Sequence, residues 1–138
     1  MIDDLQRQGL IKTVPVDPKK IQDSRELALR DVSTAKSILK GNQDWAFAIA
    51  YNAVLQAGRA LMFSRGYRPD GANQHISVVK FAELYLDKND SIVFDRMRRK
   101  RNSSVYDTAG SITESEAAFA IKQAEDLVKK IFAVIDKI

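Results

Sequence analysis

Between Gln43 and Arg65 the chain lays small and large apolar residues along two adjacent stripes, and no other feature constrains its fold so tightly. Ala46, Ala50, Ala53, Ala57 and Ala60 recur in alternating steps of four and three, the spacing of one face of an α-helix. Phe47, Tyr51, Val54, Gly58 and Leu61 run beside them. A helix apolar around so much of its circumference belongs at the centre of a bundle. The alanines let a neighbouring backbone approach closely, while the larger stripe fills a groove. Trp45, Phe47, Tyr51 and Phe63 are assigned to the core on this basis.

Four further helices surround it in the sequence. Asp17-Pro18 opens the first, with Asp as N-cap and Pro at the first helical position, where its missing N–H costs nothing. Ile21, Ala28, Val32, Ala35 and Leu39 follow at helical spacing, and Gly41-Asn42 is expected to close the helix as a left-handed cap. After the central helix Gly66 provides a stop, and Arg68-Pro69-Asp70-Gly71 suits a type I turn. A third helix is expected over about Asn73–Leu86. Asn89 or Asp90 can cap a fourth that starts near Ser91. Ala109-Gly110-Ser111 is a connector. Thr113 and Glu116 form a capping box ahead of a last helix carrying Ala117, Ala120, Ala124, Leu127, Ile131, Val134 and Ile138. No strand-like alternation with hairpin turns competes. The expected architecture is all-α, an up-and-down helical bundle of four to five helices, with an irregular lead-in over 1–16 and a single domain over 17–138.

A chain of 138 residues with 45% hydrophobic and 29% charged residues has the balance of a folded domain. It has no cysteine, which excludes disulfides, thiolate metal sites and a cysteine nucleophile. No apolar run approaches the roughly 20 residues of a membrane span, so no membrane association is expected. The acidic start Met1-Ile2-Asp3-Asp4 lacks the features of a secretory signal, and a cytoplasmic location is expected.

The net charge of +4 has one source. Arg96, Arg98, Arg99, Lys100 and Arg101 fall within six positions; without them 17 of the 22 Lys+Arg remain, against 18 Asp+Glu. A local excess of this kind favours a phosphate-bearing or acidic partner, although a basic run is also a common form of solvated helix face.

Within that helix one residue is out of place. Val93, Met97, Arg101 and Val105 are spaced by four and share a face. A guanidinium in this apolar row must be paired, must snorkel, or must face a cleft shared with a second subunit. Asn102 and Tyr106 lie on the neighbouring face, with Arg99 one turn earlier. Arg101 and Tyr106 converge only if the helix distorts or ends between them, and Ser103-Ser104 are poor helix-interior residues.

The run Arg96-Met97-Arg98-Arg99-Lys100-Arg101-Asn102-Ser103-Ser104-Val105-Tyr106-Asp107 resembles the signature of the HEPN family (higher eukaryotes and prokaryotes nucleotide-binding). Ala50-Tyr51-Asn52-Ala53, Gln56-Ala57-Gly58-Arg59-Ala60-Leu61, Ser64-Arg65-Gly66-Tyr67-Arg68-Pro69 and His75-Ile76 are similar to the second helix and following turn of its small prokaryotic members. The resemblance covers about Asp17 to the C-terminus. It implies a helical bundle that dimerises, and an arginine, a polar residue and a later histidine that meet across the dimer and cleave RNA without metal. On this chain Arg101 matches the arginine and Asn102 the polar residue. Tyr106 stands where the family has histidine.

Metal-independent cleavage of RNA needs a base for the 2′-hydroxyl proton, a cation for the phosphate and an acid for the leaving oxygen. Arg101 suits the cation's part, because a guanidinium forks onto phosphate oxygens and stays charged. Tyrosine is a poor base, with roughly one in a thousand ionised at pH 7, though it can donate a hydrogen bond or stack on a base. The candidate catalytic set is therefore Arg101, Asn102 and Tyr106, with Arg96, Arg98, Arg99 and Lys100 as nucleic-acid or phosphate contacts. No metal and no cofactor are called for. Two functions stay open. One is an RNA-directed protein, such as the ribonuclease-like toxin of a toxin–antitoxin pair. The other is a non-catalytic, nucleotide-binding module paired with a minimal nucleotidyltransferase. A homodimer is expected in either case. His75, the sole histidine, lacks partners at metal-ligand spacing and is expected to be exposed or to cap a helix.

Overall fold

Burial of the alanine-rich helix dictates the arrangement. In the computed structural model, which describes residues 1–103 and 110–137, helix α3 (Gln43–Ser64) is surrounded by α2 (Pro18–Ile38), α4 (Gln74–Glu83), α5 (Lys88–Asn102) and α6 (Glu114–Asp136). Ala46, Ala50, Ala53, Ala57 and Ala60 are each completely buried, and Tyr51, Val54 and Leu61 are nearly or fully so. The helical bundle expected from the sequence stands.

Local chemistry sets the ends of these helices. Asp17 accepts a hydrogen bond from the Lys19 amide at 3.0 Å, with Pro18 inside the first turn. Asn42, Asn73 and Asp87 cap α3, α4 and α5 in the same manner. Thr113 and Glu116 form the reciprocal capping box of α6. Two ion pairs tie α2 to α6, Arg25–Asp136 at 2.8 Å and Lys36–Glu125 at 2.7 Å, with the Arg25 guanidinium also lying over the Phe132 ring.

Several expectations need correction. The first 16 residues are not irregular: they form a short helix α1 (Ile2–Arg7) and a strand β1 (Ile11–Thr13), which bury Leu5 and Ile11 in the core. Arg68 and Pro69 are not in a type I turn but in a strand, β2 (Tyr67–Pro69), antiparallel to β1 with Ile11 opposite Pro69 and Thr13 opposite Tyr67. Pro is tolerated because the pair is only two strands wide. Gly66, at φ +83°, makes the reversal from α3 into β2. Gly41 does not adopt the left-handed cap; α2 ends with Leu39 still right-handed, and the Gly41 and Asn42 amides bond back to the Ile38 carbonyl. The fourth helix starts at Lys88, capped by Asp87 instead of Asn89 or Asp90. Trp45 is 55% exposed, in the first turn of α3 and outside the core. Phe63 is only half-buried.

Candidate functional site

Helix α5 turns its cations in different directions. Phe94 and Met97 are its buried anchors, and they fix the rotation of the basic turns that follow. Arg96 is exposed and lines a surface groove of about 440 Å³ with Glu83, Lys88, Ile92 and Arg99. Asp95 holds two arginines: Arg98 at 3.0 Å, with only 15% of its side chain exposed, and Arg99 at 2.9 Å, with 74% exposed. Lys100 reaches Glu116 on α6 at 3.5 Å. Arg101 is half-buried, and its Nη1 donates to Oδ1 of Asn102 at 3.4 Å. The five basic residues therefore do not form one face. Arg96 and Arg99 point to solvent, Lys100 toward α6, and Arg98 and Arg101 act inward.

The described part of α5 runs to Asn102, with Ser103 still in a right-handed helical conformation. Asn102 is its last residue and Ser103 its C-cap, with cations in the last turn favoured by the helix dipole. Val105 and Tyr106, and with them the convergence of Tyr106 on Arg101 that the sequence allows only if the helix distorts or ends, lie outside the described residues.

What lies inward of Arg98 and Arg101 departs from expectation. His75, in the first turn of α4, is half-buried, and its Nδ1 lies 3.2 Å from the hydroxyl of Tyr51 on α3. It is neither exposed nor a cap; Asn73 takes the cap. Burial drives the imidazole's pKa below its usual value, and the charges of Arg101, Arg59 and Arg98 push in the same direction. The Tyr51 hydroxyl is held far above its usual range by burial, against the opposing pull of Arg98, Arg101 and Arg59. Both groups are therefore neutral at pH 7. Arg59, also on α3, is half-buried and desolvated, so its own pKa is lowered. Its side chain bonds Gln56 Oε1 at 3.5 Å. The result is a neutral Tyr–His pair on which the charges of three guanidiniums from two helices act.

The sequence held a weak signal for this. Asn52, Gln56 and Arg59 follow steps of four and three along an otherwise apolar helix, a polar stripe that a purely structural core would not need. Asn52 uses it to reach α2, donating to the buried Asp31 at 2.8 Å. Among the described residues no group of three or more His, Cys, Asp or Glu is placed to hold a metal ion, and no helix is long and apolar enough to cross a membrane.

Among solved structures the chain is similar to TT1696 from Thermus thermophilus, with a TM-score of 0.64 and 19% identity over 83% of this chain and 97% of that one. At that identity the likeness concerns the fold alone. No curated protein sequence matches the chain significantly. The family model for the HEPN domain matches residues 21–134, a span from the first turns of α2 to the end of α6. By that match, and with a bundle of the expected kind, the chain belongs to the HEPN domain family.

Proposed function

We propose that this HEPN domain binds RNA through phosphate contacts at the C-terminal end of α5, with Arg101 and Asn102 at the centre and Arg96, Arg98, Arg99 and Lys100 around them. The main support is the charge of Arg98, Arg101 and Arg59, which acts on the buried Tyr51 and the half-buried His75. Cations whose fields overlap raise one another's energy, and an anion bound within that field relieves it. The cleft is completed by a second copy of the chain in a homodimer. If the domain also cleaves, it does so without metal, as the ribonuclease-like half of a toxin–antitoxin pair, with Tyr106 beside Arg101 and Asn102 as the catalytic set.

Fluorescence anisotropy with labelled single-stranded RNA at low salt tests the binding. Arg101→Ala should weaken it far more than Lys40→Ala, an exposed lysine at the end of α2. Equal effects from the two variants, or no binding by the parent, count against the proposal.

A second reading is favoured by Tyr106 itself: at pH 7 a phenol is too rarely ionised to serve as a base. The domain is then a non-catalytic module, paired with a minimal nucleotidyltransferase that its basic end docks. Co-elution with a genomically adjacent nucleotidyltransferase supports this reading; separate elution opposes it. Nuclease activity gained by Tyr106→His marks a scaffold that lacked only a base.

A further inference from the structure

We propose that the cleft bordered by α2, α3, β2 and the start of α4 binds a phosphate monoester, with Arg59 and Lys20 as its cations and Ser24 and Gln74 as neutral donors. The proposal uses no residue of α5. It goes beyond the RNA reading and stands if that reading fails.

Four elements converge on this place. Lys20 and Ser24 lie one turn apart on α2, Arg59 comes from the second half of α3, Arg68 from β2, and Gln74 opens α4. All five line one cleft of about 420 Å³, within the range of about 300–1,000 Å³ common to small-ligand sites. Phe63, one turn beyond Arg59, adds an apolar wall.

The charges of the cleft do not cancel. Its one carboxylate, Asp23, is exposed and holds the Lys19 ammonium at 3.0 Å. Arg68 stands 3.8 Å from Asp70. Lys20 and Arg59 are left over: among the described residues neither forms an ion pair, and the hydrogen bond from Arg59 to Gln56 is long at 3.5 Å. Arg59 is half-buried, and burial works against its charge. An anion reaching a guanidinium so desolvated gains more than it would at an open surface.

Ser24 is an independent sign. It is 7% exposed, and among the described residues its hydroxyl has no hydrogen-bond partner. A nearly buried hydroxyl on a cleft wall is a donor available to a ligand oxygen. A phosphate monoester suits the set, because it carries close to two negative charges at pH 7 and three acceptor oxygens. A carboxylate offers half that charge. Phe63 gives the organic part of the ester an apolar surface to lie against.

Isothermal titration calorimetry on the full chain at low salt tests the cleft. The probes are phenyl phosphate and a short oligouridylate with either a 5′-phosphate or a 5′-hydroxyl. Arg59→Gln should weaken phenyl phosphate binding about tenfold, and Lys20→Gln and Ser24→Ala about threefold each. Lys20 is exposed, so its replacement keeps the fold, and circular dichroism checks Arg59→Gln. Phenyl phosphate binding weakened in these variants assigns the cleft to a small phosphorylated molecule. A preference for the 5′-phosphorylated oligouridylate that Arg59→Gln abolishes assigns it to an RNA end. Either result supports the site. No binding of phenyl phosphate together with no preference for the 5′-phosphate overturns it. Phenyl phosphate binding that Arg96→Gln weakens while Arg59→Gln and Lys20→Gln do not also overturns it, by placing the anion on α5.

Discussion

The hydroxyl of Tyr51 lies 3.2 Å from Nδ1 of His75, and the two rings sit at 52° with centroids 5.7 Å apart. The contact joins the middle of α3 to the first turn of α4. It consumes the one polar atom of a side chain whose residue is 1% exposed, and it holds the chain's lone imidazole where the charges of Arg101, Arg59 and Arg98 act on it.

This contact makes stability depend on pH in a defined window. Burial first, then Arg101, Arg59 and Arg98, hold the folded His75 below its ordinary value of 6.5. Between that lowered midpoint and 6.5 the unfolded chain binds more protons than the folded one. Stability is therefore full above the ordinary value and falls as pH drops through the window, levelling below the folded midpoint. Urea unfolding at several pH values should show this slope, and His75→Gln should flatten it. A slope of the same size in the variant would assign it to other groups.

Gly58 reports how closely α3 and α4 pack. A Cβ there would overlap Cγ1 of Val78, itself completely buried and stiff at χ1. Gly58→Ala should therefore destabilise the fold by about 1–3 kcal/mol, despite alanine's better helix propensity. Adding Val78→Ala vacates the space and should return part of the loss. Thermal unfolding of the two variants decides it, and additive losses would show that the overlap is not the cause.

These packing relations divide what the sequence reveals from what it does not. Asp17-Pro18 and the Thr113/Glu116 box are legible because a cap is made by residues within a few positions of one another. The alanine stripe is legible because helical spacing is local. The start of α5 is harder, since Asp87, Asn89 and Asp90 can all cap and the structure uses the outermost. The β1–β2 pair leaves no alternation to read, being three residues on each side. Within the site, the Arg101-Asn102 run is visible, but its division into inward and outward arginines depends on the rotation that Phe94 and Met97 impose. The place of His75 depends on Tyr51, 24 positions away, and no local pattern encodes that distance.

Asp31 tests the polar stripe of α3 separately from the site. It is 4% exposed and accepts from Asn52 Nδ2 at 2.8 Å and from Arg30 at 2.9 Å. Removing the carboxylate leaves the Asn52 amide in an apolar interface, so Asp31→Ala should cost about 1–3 kcal/mol. Asn52→Ala alone strands the carboxylate on that side, and the double variant should be less destabilised than the two singles combined. Strict additivity by chemical denaturation would mean the pair does not interact.

The last expectation concerns the second copy. Phe119, on α6, is 62% exposed and Ile92, on α5, is 44% exposed. Between these helices runs a groove of about 300 Å³ whose lining includes Phe47, Val93, Met97, Phe119 and Ala120, with Arg96, Lys100 and Glu116 among the polar residues. Phe119, which lines this groove, and Ile92, which lines the neighbouring one, gain by being covered, at about 25 cal/mol per Å² of apolar surface buried. A two-fold partner would cover both copies at once and bring opposite charges to the same rim. Phe119→Ser should then turn a dimer into a monomer by light scattering, with little change in the helical signal. Since each copy presents its own Arg96 and Lys100 beside this groove, the monomer should also bind RNA more weakly than the dimer. A parent chain that is monomeric at every concentration, or a Phe119→Ser chain that still dimerises, places the interface elsewhere or removes it.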